Sequence, residues 1–336
     1  MFEIKYKIES DITLHSFELK NIHLFFHNHP AFIEILKENT DLTYLLRRQY
    51  WIDNKKPNYK DSNIKYDRET IRIEHPSFFL FDDYYGNYLH YFVETFPKIN
   101  YFLQIKEKIP NIKLTIPNFI WDMCFIKESI LMYLDNDISD VVVLDNNKNY
   151  IFDILLIPNN IYLWPDKFTF SNIIFDSFKK LSDKVSVDEE KTGVYISRQD
   201  TIKAGWWHKR HLVNELELIE NVKNNLNYDI VELYYLNLHD KIKIFKTYKN
   251  ILQISGAGMI NLLACKPLTN FHIISHPLYK WSDIILKITA EKLNINFYEY
   301  DSAKVIYETD EILGDQSNRP WKLENMEKII SKIKTI

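Results

Sequence analysis

The sequence predicts a two-domain α/β fold whose C-terminal half is Rossmann-like. Three observations predict it. From about residue 193 onward, short apolar runs alternate with helical segments over short loops, the pattern of a parallel sheet with helical crossovers. The chain has 336 residues, a length that suits two domains of ordinary size. Hydrophobic residues make up 46% and charged residues 26%, the balance of a globular protein with buried cores.

The N-terminal half reads as a second α/β domain with extra β structure. Glu3–Ile8, Ile71–Glu74 and Ser77–Phe81 are β-like. A helical region spans Tyr88–Lys106, with Phe92, Phe96, Ile99 and Leu103 on its apolar face. Ile112–Ile116 follows as a strand, Ile126–Leu134 as a helix, and Val141–Leu144 and Ile154–Pro158 as strands. The polar stretch Asp183–Lys191 predicts the boundary, dividing the chain into residues 1–185 and 186–336. Gly193–Ser197 then reads as the first strand of the second domain. In residues 211–226, Leu212, Leu216, Ile219, Val222 and Leu226 share a helical face. Tyr228–Tyr234, Ile251–Ser255, Phe271–Ser275 and Ile295–Tyr300 read as strands. Leu238–Tyr248, Met259–Cys265 and Trp281–Leu293 read as helices, and a last helix from Leu323 to about Ile333 packs on either domain.

The net charge of −4 excludes general attraction of the whole molecule to nucleic acid. Cys124 and Cys265 have no metal or redox spacing and read as free thiols. The first residues alternate charged and apolar side chains without the apolar core of a signal peptide, and no stretch reaches the roughly 18 apolar residues of a membrane helix. The chain is therefore expected in the cytoplasm with no membrane span. Heavy use of Ile, Asn, Lys, Tyr and Phe points to an AT-rich genome, that of a low-GC bacterium or a large virus.

Glycine is scarce: there are 6, where an average usage of about 7% would supply more than about 20. Each marks a backbone position that other residues fill badly. Two of them, Gly256 and Gly258, flank Ala257 in a turn after the strand ending at Ser255, where a helix begins. Such a turn either cradles an anion on backbone N–H groups at a helix N-terminus or is simply tight. Two glycines in one turn favour the anion, and Asn261 either orders the turn or touches the ligand. The G-x-G-x-x-G dinucleotide fingerprint is absent from the first strand, where Ser197-Arg198-Gln199 stands. At that sheet edge, Arg198 suits a diphosphate, which its planar fork grips through two parallel hydrogen bonds. The loop beyond, with Lys203, Trp206, Trp207, His208, Lys209 and Arg210, is basic and aromatic.

A third candidate lies in Gly86–Pro97. His90 and Glu94 are one helical turn apart and away from the centre of the apolar face. They form either an oriented general base or a surface hydrogen bond of little consequence, and spacing does not decide between them. Pro97 enforces a kink in the same helix. Asp135-Asn136-Asp137 reads as a solvated loop rather than a metal site. His23, His27 and His29 read as part of an aromatic segment, with a metal site as the alternative.

Together these segments resemble glycosyltransferase family 61, a group that includes plant xylosyltransferases and animal N-acetylglucosaminyltransferases. Asn87, Tyr88, His90, Glu94 and Pro97 match its N-[YF]-x-H-x-x-x-[DE]-x-x-P pattern. Tyr195–Arg198 matches Tyr-Ile-Ser-Arg. Arg210, Asn214, Glu215, Glu217 and Leu218 match an Arg lead into Asn-Glu-x-Glu-Leu. Leu236–Asp240 matches a leucine-x-leucine-x-acid segment, and Ser255–Asn261 a His-Gly-Ala-Gly-[LM]-x-Asn turn. Ser255 stands where the family commonly has His, and Glu94 where it has Asp.

The resemblance implies a GT-B-like pair of Rossmann-like domains facing a cleft, with the acceptor side in the first and a nucleotide-sugar, usually a UDP-sugar, in the second. It implies inverting transfer to a glycan or protein hydroxyl. The diphosphate would lie against Arg198 and Ser255, Gly256, Ala257 and Gly258, with Asn261 in the turn, while Asn214 or Glu215 seats the nucleoside. Glu94, assisted by His90, would take the acceptor proton. Arg198 and the helix dipole at Met259 would stabilise the leaving diphosphate, with no metal or other cofactor required. The alternatives are another nucleotide enzyme on the same fold and a catalytically silent glycan-binding or scaffold protein.

Overall fold

The computed structural model describes residues 4–8, 14–26, 33–37, 40–41, 67–81, 85–158, 172–200, 211–277, 281–301, 303–305 and 320–336. The chain forms two compact units, Met1–Leu181 and Ser182–Ile336. Both are α/β.

Among the described residues, the first unit is built on a nine-stranded mixed sheet. Four strands extend it antiparallel: β1 (Ile4–Ile8), β2 (Leu14–Phe26), β3 (Ile33–Lys37) and β4 (Thr40–Asp41). Its parallel part contains β5 (Thr70–Ile73), β6 (Ser77–Phe79), β7 (Lys113–Pro117), β8 (Val141–Leu144) and β9 (Asn149–Pro158). β9 joins the two parts, antiparallel to β2 and parallel to β5 and β6. In the order β9-β6-β7-β8, the chain proceeds to one side of β6 and returns on the other. Such a reversal leaves a crevice at the strand's carboxyl end.

The segment that leaves β6 enters the helix containing His90. It runs as Tyr88–His90, a π-helical turn Tyr91–Thr95, and Pro97–Lys106. The Phe96 N–H bonds the Tyr91 carbonyl, five residues back, at 2.8 Å. The helix therefore widens just before the proline, and Pro97 opens the next run, where a missing N–H breaks no bond. Every residue from Tyr91 to Ile99 is buried. The expected one-sided apolar face is thus corrected: this stretch is enclosed all round, with Phe92 against Phe96 and Phe178 and Phe78 against Tyr101.

The second unit holds a parallel sheet of β10 (Lys191–Ser197), β11 (Asp229–Glu232), β12 (Tyr248–Ile254), β13 (Asn270–Ile274) and β14 (Asn296–Tyr300). Its order is β11-β10-β12-β13-β14, so the reversal falls between β10 and β12. A small antiparallel pair, β15 (Ala303–Val305) and β16 (Trp321–Leu323), precedes the last helix, Met326–Lys334. That helix packs within the second unit, where Ile329, Ile330 and Ile333 join Leu218, Val222 and Tyr300.

Three local expectations change. In the helix Glu215–Leu226, the inward face is Leu218 and Val222 with Glu215, while Leu216 is 65% exposed. The helix expected at Met259–Cys265 is a 3-10 helix, Ala257–Ala264, whose poorer hydrogen-bond geometry makes a smaller dipole than an α-helix would. Among the described residues, the glycines do not supply the left-handed positions. Those belong to residues such as Asn136, Asn227 and Asn294, and Asn227 ends the helix Glu215–Leu226. Asparagine tolerates this conformation better than other side chains.

One buried group makes the second unit acid-sensitive. His272 of β13 is fully buried, and its Nδ1 bonds Tyr300 Oη at 2.9 Å. Its Nε2 has no hydrogen-bond partner among the described residues. Burial lowers its pKa to about 4, so the ring is neutral in the fold and takes up a proton on unfolding between that value and its ordinary one near 6.5. Its contribution is intact above pH 6.5 and is lost as pH falls through this window, about 3 kcal/mol at pH 4. Urea unfolding midpoints should drop over that range, and His272→Phe should flatten the drop.

Candidate functional site

The carboxyl ends of β10 and β12 meet at the reversal of the second sheet, the edge where parallel sheets bind ligands. β10 ends in Ser197 and is followed by Arg198, whose Nη1 donates to the Ser255 carbonyl just beyond β12 at 2.9 Å. Gly256 accounts for this approach. Its backbone is extended (φ 168), a conformation open to any residue, so the need for glycine is one of space. A Cβ there would stand 3.0 Å from Arg198 Nη1 and 3.3 Å from Cζ. Gly256 is the floor on which the guanidinium lies. Gly258 is less constrained, since its Cβ would meet Leu233 at 3.8 Å.

Arg198 is set from behind by Glu215, which is 1% exposed. Its Oε1 accepts the Arg198 N–H at 2.8 Å and the Tyr195 hydroxyl at 3.0 Å, and its Oε2 accepts Gln199 Nε2 at 2.9 Å. Both oxygens are thus engaged with the strand end, and the helix N-terminus favours the negative charge. Burial, with this carboxylate beside it, pushes the Tyr195 phenol well up, so it remains a donor. Asn214 is turned to β16, donating to the Leu323 carbonyl and accepting its N–H, each at 3.0 Å. Asn261 is buried, and its Nδ2 donates to the Gly258 carbonyl at 2.8 Å. These three side chains hold the site in shape. The geometry presents Arg198 and the Ser255–Gly258 turn, where Ser255 is 6% exposed and Ala257 is half-buried.

In the first unit, Asn87 caps the helix through its Oδ1, which accepts the N–H groups of Leu89 (3.1 Å) and His90 (3.4 Å). His90 Nδ1 lies 2.9 Å from Glu94 Oε1. The pair is no surface contact: the side chains are 12% and 3% exposed. With Glu94 ionised, Nδ1 carries the proton and Nε2 keeps a lone pair, the arrangement of an oriented general base. Sequence reasoning misses Lys98, one turn beyond Glu94. It is fully buried and donates from Nζ to the Phe81 carbonyl at 3.2 Å, beyond β6. A lysine inside a stretch of buried aromatics is the signal that marks it.

The family model "Glycosyltransferase 61" matches residues 88–271, more than half the chain and a span containing both groups. The chain belongs to glycosyltransferase family 61. No curated protein matches it.

Among the described residues, the remaining candidates of this family 61 chain are engaged in local structure. Asp135 and Asn136 form a left-handed turn (φ 55 and 64), and Asp137 Oδ1 accepts the Ser139 N–H. His23 lies in extended β2. His27, His29, Lys203, Trp206, Trp207, His208, Lys209 and Arg210 lie outside the described residues. Among the described residues, no group of three or more His, Cys, Asp or Glu is placed to hold a metal ion. Among them too, no helix is long and apolar enough to cross a membrane. Leu236–Asp240 serves the fold: Asn237 Oδ1 caps the following helix through the Asp240 N–H, and Asp240 Oδ2 accepts Asn237 Nδ2.

Proposed function

We propose that the chain transfers a sugar from a nucleotide-sugar, in the first instance a UDP-sugar, to a glycan or protein hydroxyl with inversion. The observation that carries this reading is the Arg198 guanidinium lying on Gly256 at the reversal point of the second sheet. The donor diphosphate lies against Arg198 and the Ser255–Gly258 turn. Arg198 answers the charge that develops on the leaving diphosphate, with the Ala257–Ala264 helix adding a smaller dipole. Glu215, Asn214 and Asn261 act as positioning residues and not as contacts to the nucleoside. The division of labour is that of a GT-B enzyme, with the donor on the second unit and the acceptor served by the first.

The His90–Glu94 pair takes the acceptor proton. Glu94 is the more deeply buried member, which supports a shift from the sequence expectation: His90 Nε2 is the atom that receives the proton, while Glu94 fixes the tautomer and orients the ring. The attacking oxygen thereby gains charge as it meets the anomeric carbon, and the bond to the diphosphate breaks.

A nucleotide that binds the folded state alone raises its melting temperature, by mass action. UDP should do so in a panel with GDP, CMP and dTDP. A saturating panel without any shift rules out the donor site.

A further inference from the structure

The turn after β11 carries two aromatic side chains that the reading above leaves without a role. Tyr234 is 42% and Tyr235 70% exposed, and their rings meet edge to face, with centroids 4.9 Å apart and planes at 89°. Their position follows from the sheet. β11 neighbours β10, and Glu232 is the register partner of Ser197, so the turn leaves the same carboxyl edge as Arg198. Leu233 reaches within 3.8 Å of the Cβ position of Gly258, which seats the turn against that glycine. On its other side, Asp200, two residues after Arg198 and 1% exposed, accepts the Tyr234 N–H at 2.5 Å. A buried carboxylate thus ties the aromatic turn to the segment bearing the arginine. An exposed ring held on an anchored backbone loses little entropy when a flat ligand stacks on it.

We propose that Tyr235, braced edge-on by Tyr234, is the stacking platform for the base of the donor nucleotide. The proposal rests on the assignment of the diphosphate to Arg198 and Gly256. The platform supplies affinity without choosing the base, because every base offers a π-face.

Calorimetric titration of the full chain with UDP and with inorganic pyrophosphate tests it. Tyr235→Ala should weaken UDP about 5- to 150-fold and leave pyrophosphate unchanged, while Tyr235→Phe keeps wild-type UDP affinity. Arg198→Lys should weaken both ligands. Unchanged UDP affinity in Tyr235→Ala overturns the platform. So does an equal loss for pyrophosphate, or a wild-type chain that binds UDP no better than pyrophosphate. A loss seen with a UDP-sugar but not with UDP also overturns it, since the ring would then meet the sugar. If Arg198→Lys leaves both ligands unaffected, the diphosphate site itself has failed, and the platform with it.

Discussion

Turnover by the Glu94→Gln variant is expected to fall by about 10²–10⁴, the usual worth of general-base assistance. The amide keeps the size of the carboxylate and still accepts a hydrogen bond. It cannot hold His90 in one tautomer or stabilise the imidazolium that forms as the proton arrives. His90→Ala should lose a comparable factor, and the double variant should be little worse than either single one, because the two residues act as a unit. UDP affinity should stay unchanged in all three. Hydrolysis of the donor by water is the practical readout while the acceptor is being identified. A normal rate for His90→Ala with an inactive Glu94→Gln would return the proton to Glu94. Normal rates in both would remove the helix from the chemistry.

The second large effect belongs to the clamp. Arg198→Lys retains the charge but not the planar fork, and should weaken UDP about 10- to 100-fold, the worth of a charge-assisted hydrogen bond. Gly256→Ala should move affinity in the same direction without touching any charge, because its Cβ would stand 3.0 Å from the guanidinium Nη1. The extended backbone at Gly256 accepts alanine, so the fold should survive. The two changes should not add, since both displace the same group. Wild-type affinity in Gly256→Ala would mean that the arginine does not need the floor.

The second unit was the more legible from sequence because each of its strands is a short apolar run bounded by helical segments. That alternation also put Arg198 and the Ser255–Gly258 turn at one sheet edge. Their mutual contact was not legible, because the space that Gly256 leaves is filled by a side chain that follows another strand. Glu215 reads as an ordinary polar helix start, yet it is buried under three hydrogen bonds. Drawing it inward turns Leu216 outward. In the first unit, β2 pairs with its near neighbours β1 and β3 but also along most of its length with β9, more than a hundred residues away, and pairing at that distance overrides local pattern. The His90–Glu94 spacing was plain in the sequence. Its burial was not, because Leu89, Tyr91 and Val93 face neighbours that the helix pattern alone does not supply.

Backbone amide exchange of the full chain, with and without saturating UDP, tests the donor site most directly. Exchange should slow in Arg198–Gln199 and in the turn and 3-10 helix from Gly256 to Ala264, all at the reversal of the second sheet. Slowed exchange confined to the first unit, or a saturated complex with no change at these amides, would contradict it.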